Sequence, residues 1–219
     1  MRTTVRKIEH TLGKTSALIK IKGLFFTYPD KEFSLTDIAK ELSISKSITS
    51  KTIQKLLSRE FIILVRLNNI YRIRANLNNP KFKSEKMINN LWSLYELGVV
   101  DYLVKHYNHP KAIVLFGSYR YGEDTTDSDI DLAIIGDSIK NAERTTLPAL
   151  KDTAEYPLKR TLSLHLLPTK LLKENIKFTM ELKTKSDKHK SLLLEAGAGE
   201  PIIHGIINGI VLSGFLEVF

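Results

Sequence analysis

Apolar residues recur at helical spacing from Ser16 to Phe26, where Leu18, Ile21, Leu24 and Phe25 share a stripe before the chain turns at Tyr28-Pro29-Asp30. A second helix is predicted with Ser34 or Thr36 as its cap and Ile38, Ala39 and Leu42 as its buried stripe. After a short break at Ser43-Ile44, the run SKSITSKTIQKLLSREF predicts a third helix. Ile48, Ile53, Leu56 and Leu57 can face a core there, while Lys46, Ser47, Ser50, Lys51, Gln54 and Lys55 line the opposite face. FIILVRLNNIYRIRAN then shows two β-rich runs around Asn68-Asn69, a pair that tolerates the positive φ of a tight hairpin.

The turn-formers of Asn76 to Pro80 predict a boundary. Beyond it a helical rhythm runs through Met87, Leu91, Leu94, Tyr95, Leu97, Val100, Leu103 and Val104 to Pro110, as one helix or as two broken near Gly98, with Trp92 as a packing anchor. Lys111 to Phe116 reads as a strand, Ser118 to Gly122 as a short helix, and Asp129 to Ile135 as a second strand after a polar, turn-rich loop. A mostly polar helix is expected from about Ile139 to Tyr156, then a strand from Thr161 to Leu167. Pro168-Thr169 opens another helix, KTKSDKHK reads as a solvated turn, and EAGAGEP as a linker. Pro201 suits the first turn of a helix over Ile202 to Ile207, and IVLSG reads as a return strand. The pattern predicts an α+β protein with an N-terminal domain over 1–79, a connecting helix over 80–110 and a C-terminal domain over 111–219.

With 219 residues there is material for two small cores. The absence of cysteine excludes disulfide frameworks and thiolate metal sites. No apolar run is long enough to span a bilayer, and MRTTVRKIEH lacks the apolar stretch of a signal peptide, so no membrane partner and a cytoplasmic location are expected. Residues 1 to 79 carry 15 Lys and Arg against 6 Asp and Glu, whereas residues 80 to 219 carry 18 of each. The whole net charge of +9 thus lies in the first third, which points to a module that binds a polyanion joined to a charge-balanced one.

The candidate chemistry is concentrated in FGSYRYGEDTTDSDIDL, residues 116 to 132. Gly117-Ser118, a small pair where a strand runs into a helix, allows backbone to approach a phosphate closely. Asp129 and Asp131 are spaced so that a strand would turn both carboxylates to one side and Ile130 and Leu132 to the other. At roughly 6 Å and an effective dielectric near 20 their repulsion is about 3 kcal/mol, a cost that a bound cation would reverse.

Helix, helix, short turn, helix, hairpin is the order of a winged helix-turn-helix, which residues 10 to 79 resemble. That resemblance implies double-stranded DNA as a partner, with Lys46, Ser47, Ser50, Lys51, Gln54 and Lys55 at the major groove and Arg66, Arg72 and Arg74 of the wing on phosphates or the minor groove. Homodimers reading two half-sites are the corresponding expectation. Gly117-Ser118, ten intervening residues and Asp129-Ile-Asp131-Leu, with Gly122 and Ser128 between them, resemble the signature of the DNA polymerase β-like nucleotidyltransferases, especially their minimal branch. The likeness covers roughly Lys111 to Leu167. It implies a C-terminal mixed sheet flanked by helices and two catalytic, metal-holding carboxylates, Asp129 and Asp131. It also implies a nucleotide held by Gly117, Ser118 and Ser128, and Mg2+ in a two-metal arrangement with a nucleoside triphosphate as substrate or ligand. The family's presence in toxin–antitoxin pairs implies a toxin-type protein as a further candidate partner.

One position departs from that pattern. The third carboxylate belongs on the strand over Thr161 to Leu167, yet the positions available there are Ser163 and His165. Two readings stay open. One is a nucleotidyltransferase moving a nucleoside monophosphate to an acceptor. The other is a DNA-binding regulator whose nucleotidyltransferase-like domain serves nucleotide sensing or dimerisation.

Overall fold

A computed structural model describes residues 16–67, 70–147, 160–174 and 200–216. The chain divides into two compact units, one of residues 1–89 with 122–127 and one of residues 90–121 with 128–219.

The N-terminal unit opens with α1 (Ala17–Thr27), whose first turn is capped by the Ser16 hydroxyl accepting from the Ile19 N–H. α2 (Leu35–Glu41) begins with a capping box in which Ser34 and Asp37 satisfy each other's backbone N–H, so Ser34 and not Thr36 is the cap. α3 (Lys46–Leu57) is capped by Ser45. The antiparallel hairpin β1 (Ile62–Leu67) and β2 (Ile70–Ala75) follows. Asn68 and Asn69 lie outside the described residues, and Leu67 pairs with Ile70 across them. The core joins Ile21, Leu24 and Phe25 of α1 to Ile38, Ile53, Leu56 and Ile73. The Phe26, Phe61 and Phe82 rings close it at centroid distances of 5.0 to 5.9 Å.

The buried stripe of α3 differs from the expected one. Thr49 is fully buried and Ile48 is 50% exposed. Positions 49, 53 and 56 repeat at helical spacing toward the core, and the Thr49 hydroxyl satisfies itself on the Ser45 carbonyl at 2.9 Å. Ile48 is therefore left on the cationic side.

α4 (Pro80–Glu96) is capped by Asn79, whose Oδ1 accepts from the N–H of Lys81 at 2.8 Å and of Phe82 at 3.2 Å. The turn-forming stretch ending at Pro80 thus starts a helix whose residues up to Asn89 pack with the N-terminal unit. Trp92 does not anchor packing as expected: it is 39% exposed, because Leu94 supplies the buried contact of that turn. Gly98, at φ +66, ends α4 and precedes α5 (Val99–His106), so two helices form here and not one.

The C-terminal unit is built on a five-stranded mixed sheet in the order β5-β6-β4-β3-β7. Its strands are β3 (Ala112–Phe116), β4 (Ile130–Gly136), β5 (Glu143–Leu147), β6 (Leu162–Pro168) and β7 (Ile210–Gly214). β4 and β6 are parallel, and the other neighbours are antiparallel. One face sets Ile113, Leu115, Ile130, Leu132, Ile134, Leu162 and Leu164 against Leu94, Val99, Val100 and Leu103. The other sets Val114, Phe116, Ala133, Ile135 and Leu167 against Ile203 and Ile206 of α7 (Glu200–Ile207). Covering both faces explains why β3 and β4 read as near-continuous apolar runs.

Where a polar helix was expected from about Ile139, residues 143–147 form β5 instead. β-Branched Thr145 and Thr146 suit an edge strand, and pairing with β6 satisfies their backbone. The rest of that expected helix, the segment KTKSDKHK and the glycines of EAGAGEP lie outside the described residues, as does the helix expected after Pro168 beyond residue 174.

Candidate functional site

β3 ends at Phe116 and passes directly into a single helical turn, α6 (Gly117–Tyr121). Gly117 takes φ +71, the left-handed region that favours glycine. A Cβ placed there would lie 3.2 Å from Asp131 Cγ and closer still to its Oδ2. The missing side chain at 117 is therefore what lets the Asp131 carboxylate stand against bare backbone.

The register brings further groups to that face. Asp131 pairs with Phe116 of β3 and with Ser163 of β6, and Ala133 pairs with His165. Ile130 and Leu132 point the other way and are fully buried, as the alternation predicts. Asp129 stands exposed one residue before β4, so the strand begins a residue later than expected. Ser118 and Ser128 are half-buried at the two ends of the intervening loop.

At the positions where a third acid is expected, a short polar chain occurs. His165 Nε2 lies 3.8 Å from Asp131 Oδ1 and 3.4 Å from Ser163 Oγ. Arg144 Nε of β5 donates to the same Ser163 hydroxyl at 3.2 Å. The Phe116 ring packs edge-on to the imidazole with centroids 5.1 Å apart. Arg160 donates to the Ser128 carbonyl at 3.1 Å and sits over the Tyr119 ring, fixing the approach to Asp129. Arg144 and Arg160 were not identified from the sequence. No local pattern marks them, since strand pairing and chain return alone bring them to the site.

Among the described residues no group of three or more His, Cys, Asp and Glu is arranged to hold a metal ion. The donor set is two carboxylates on and just before one strand. Mg2+ commonly takes one or two carboxylates and fills its octahedron with water and phosphate oxygens. Two carboxylates of this kind suit a largely hydrated metal ion, and among the described residues they do not form a complete protein cage.

A family model described as polymerase beta, nucleotidyltransferase matches residues 99–212, slightly more than half of the chain. The chain belongs to the polymerase beta nucleotidyltransferase family. The matched span runs from the first residue of α5 to the third of β7 and includes the glycine-serine corner, both aspartates and Ser163 and His165. No curated protein matches the chain.

The remaining candidates lie in the N-terminal unit. Lys46, Ser47, Lys51, Gln54 and Lys55 are exposed on α3, and Ser50 is half-buried. Ile63 pairs with Arg74 and Val65 with Arg72, which sets those two arginines on one face of the hairpin. Arg66, paired with Tyr71, belongs to the other face. Arg72 is already engaged with Asp37 of α2 at 3.1 Å. The hairpin therefore does not gather its three arginines into one patch. No helix among the described residues is long and apolar enough to cross a membrane.

Proposed function

We propose that the C-terminal unit is a Mg2+-dependent nucleotidyltransferase, moving a nucleoside monophosphate from a nucleoside triphosphate to an acceptor hydroxyl. The observation that supports this reading is the close approach of Asp131 to the bare backbone of Gly117, which brings the glycine-serine corner and an acidic side chain together. Gly117 and Ser118 would hold the phosphates, with Ser128 at the far end of the loop. Asp129 and Asp131 would hold the metal, and Asp131 would orient the acceptor hydroxyl toward the α-phosphorus. Divalent magnesium, when bound, neutralises the triphosphate and stabilises the departing pyrophosphate. Incubation with Mg2+ and labelled nucleoside triphosphates, alone and with lysate, tests the reading. Pyrophosphate release that is lost in Asp129→Ala supports it, and no release under any condition counts against it.

One observation favours a second reading. Ser163, His165 and Arg144 occupy the place of a third carboxylate, and a guanidinium there favours holding a polyphosphate over accepting a proton from the attacking group. Nucleotide binding without pyrophosphate release would assign the unit to sensing. In either case the N-terminal unit is proposed as a winged helix-turn-helix that presents the exposed cationic face of α3 to duplex DNA, supported by the charge excess of the first 79 residues.

A further inference from the structure

The loop between the glycine-serine corner and the acidic pair reads in sequence as a polar, turn-rich connection. Residues 122–127 nevertheless pack as part of the N-terminal unit. Gly122, at φ +68, has its backbone so close to α4 that a Cβ would meet Met87 N at 2.9 Å and the Lys83 carbonyl oxygen closer still. Lys83 pairs with Glu123 at 2.7 Å. Lys86 donates to the Asp124 carboxylate and, at 3.0 Å, to the Asp124 carbonyl oxygen, with both side chains fully buried. Asp30 Oδ1 accepts from the Thr126 N–H at 2.9 Å and also from the Thr126 hydroxyl.

A loop that served only to connect two elements would need none of these. A buried ion pair is stabilising only when its geometry is good and its remaining hydrogen-bonding capacity is used. Here the backbone carbonyl takes a second ammonium hydrogen. The loop is thereby fixed at its first residue by close packing, in its middle by ion pairs and toward its end by Asp30. Peptide bonds join it to Tyr121 of the corner helix on one side and to Ser128 and Asp129 on the other.

We infer that Asp30, Lys86 and Asp124 are positioning residues of the nucleotide site: by fixing residues 122–127 they set how Asp129 is presented relative to Gly117 and Ser118. The inference rests on the nucleotidyltransferase reading and assigns a role in it to side chains outside the family-matched span, since Asp30 and Lys86 precede residue 99. The effect is on geometry, and none of the three touches the nucleotide.

Asp30 gives the cleanest test, because it is largely exposed and its removal leaves no buried charge behind. In the full chain, calorimetric titration with each of the four ribonucleoside triphosphates in Mg2+ gives a reference dissociation constant. Asp30→Ala is expected to raise it at least five-fold with the thermal midpoint within about two degrees of the unaltered chain. Asp30→Asn retains an acceptor oxygen at the same place and is expected to restore near-normal affinity. Thr126→Val removes the hydroxyl bond and keeps the backbone one, so it should weaken binding less than Asp30→Ala in the unaltered background and add little in the Asp30→Ala background, where the hydroxyl's acceptor is already gone. Equal affinity across the five proteins overturns the inference, as does loss of affinity that Asp30→Asn fails to rescue. Failure of the unaltered chain to bind any of the four nucleotides overturns the underlying reading of the site, a result distinct from equal binding by all variants.

Discussion

Asp131 stands against Gly117, with room for the carboxylate only because residue 117 has no side chain. Gly117→Ala is consequently expected to do two kinds of damage. Its φ of +71 becomes strained, costing about 1–3 kcal/mol of stability. The new methyl also displaces the carboxylate. Nucleotide affinity or pyrophosphate release should fall by about two orders of magnitude, the scale expected when a reacting group is misplaced by an ångström. Calorimetry and thermal unfolding of the same variant separate the two effects.

The donor set predicts the order in which ligands enter. With two carboxylates and no third acidic or histidine partner in a metal-holding arrangement among the described residues, Mg2+ alone should bind weakly. Its affinity should rise at least ten-fold when a nucleoside triphosphate supplies phosphate oxygens, and by linkage the nucleotide should bind correspondingly more tightly with the metal present. Asp131→Asn should remove that mutual enhancement. Titrations of metal and nucleotide, singly and together, measure it directly.

How much of this was legible in the sequence depended on the range of the interaction. The cap of α2 is local, and Ser34 is one of the two residues the sequence offers for it. The spacing of Ile130 and Leu132 around Asp131 is local too, and it fixed the faces of β4. The exchange of Ile48 for Thr49 was not legible, because either residue could fall on a helical stripe and only the packing partner decides between them. β5 was misread for a different reason. Glu143 to Leu147 has no apolar alternation, and its strand identity comes from pairing with β6, some twenty residues onward. Arg144 and Arg160 reach the site by the same long-range route. The loop over 122–127 reads only as polar and turn-rich, because its anchors, Asp30, Lys83 and Lys86, lie far upstream.

The buried Lys86–Asp124 pair carries its own stability prediction. Lys86→Met takes the buried ammonium away from the Asp124 carboxylate and should cost about 3–5 kcal/mol in denaturant unfolding. Lys86→Met combined with Asp124→Leu removes both charges and should recover most of that loss. A double variant as unstable as the single one would contradict this account.

The capping box of α2 makes stability pH-dependent with a definite sign. Hydrogen bonds from the Ser34 backbone and hydroxyl, followed by the charge of Arg72, hold Asp37 below the usual carboxylate range despite the opposing effect of desolvation. Its stabilising contribution is present in full above the ordinary aspartate value and is lost as the pH falls through the lower folded-state value. Asp37→Ala should therefore lower the thermal midpoint at pH 7, and the gap to the unaltered chain should close in acid. Paired melting curves between pH 2 and 7 check the direction.

For the N-terminal unit, binding to duplex DNA should weaken steeply with salt, because each neutralised phosphate releases counterions. Lys51→Glu, which reverses a charge on the exposed face of α3, should lower affinity and flatten the dependence of log K on log salt. Mobility shifts across a salt series read both quantities. A slope equal to that of the unaltered chain would remove Lys51 from the contact.

The order of strands in the C-terminal unit also governs when its sheet can assemble. β4 waits for its parallel neighbour until residue 162 has been made, and the outer flank of β3 waits for residues 210–214. During synthesis the nascent chain thus displays a largely apolar, two-stranded ribbon whose edges are both unpaired. Pairings so distant in sequence are slow to form, which makes this stage, before release from the ribosome, the one most exposed to self-association.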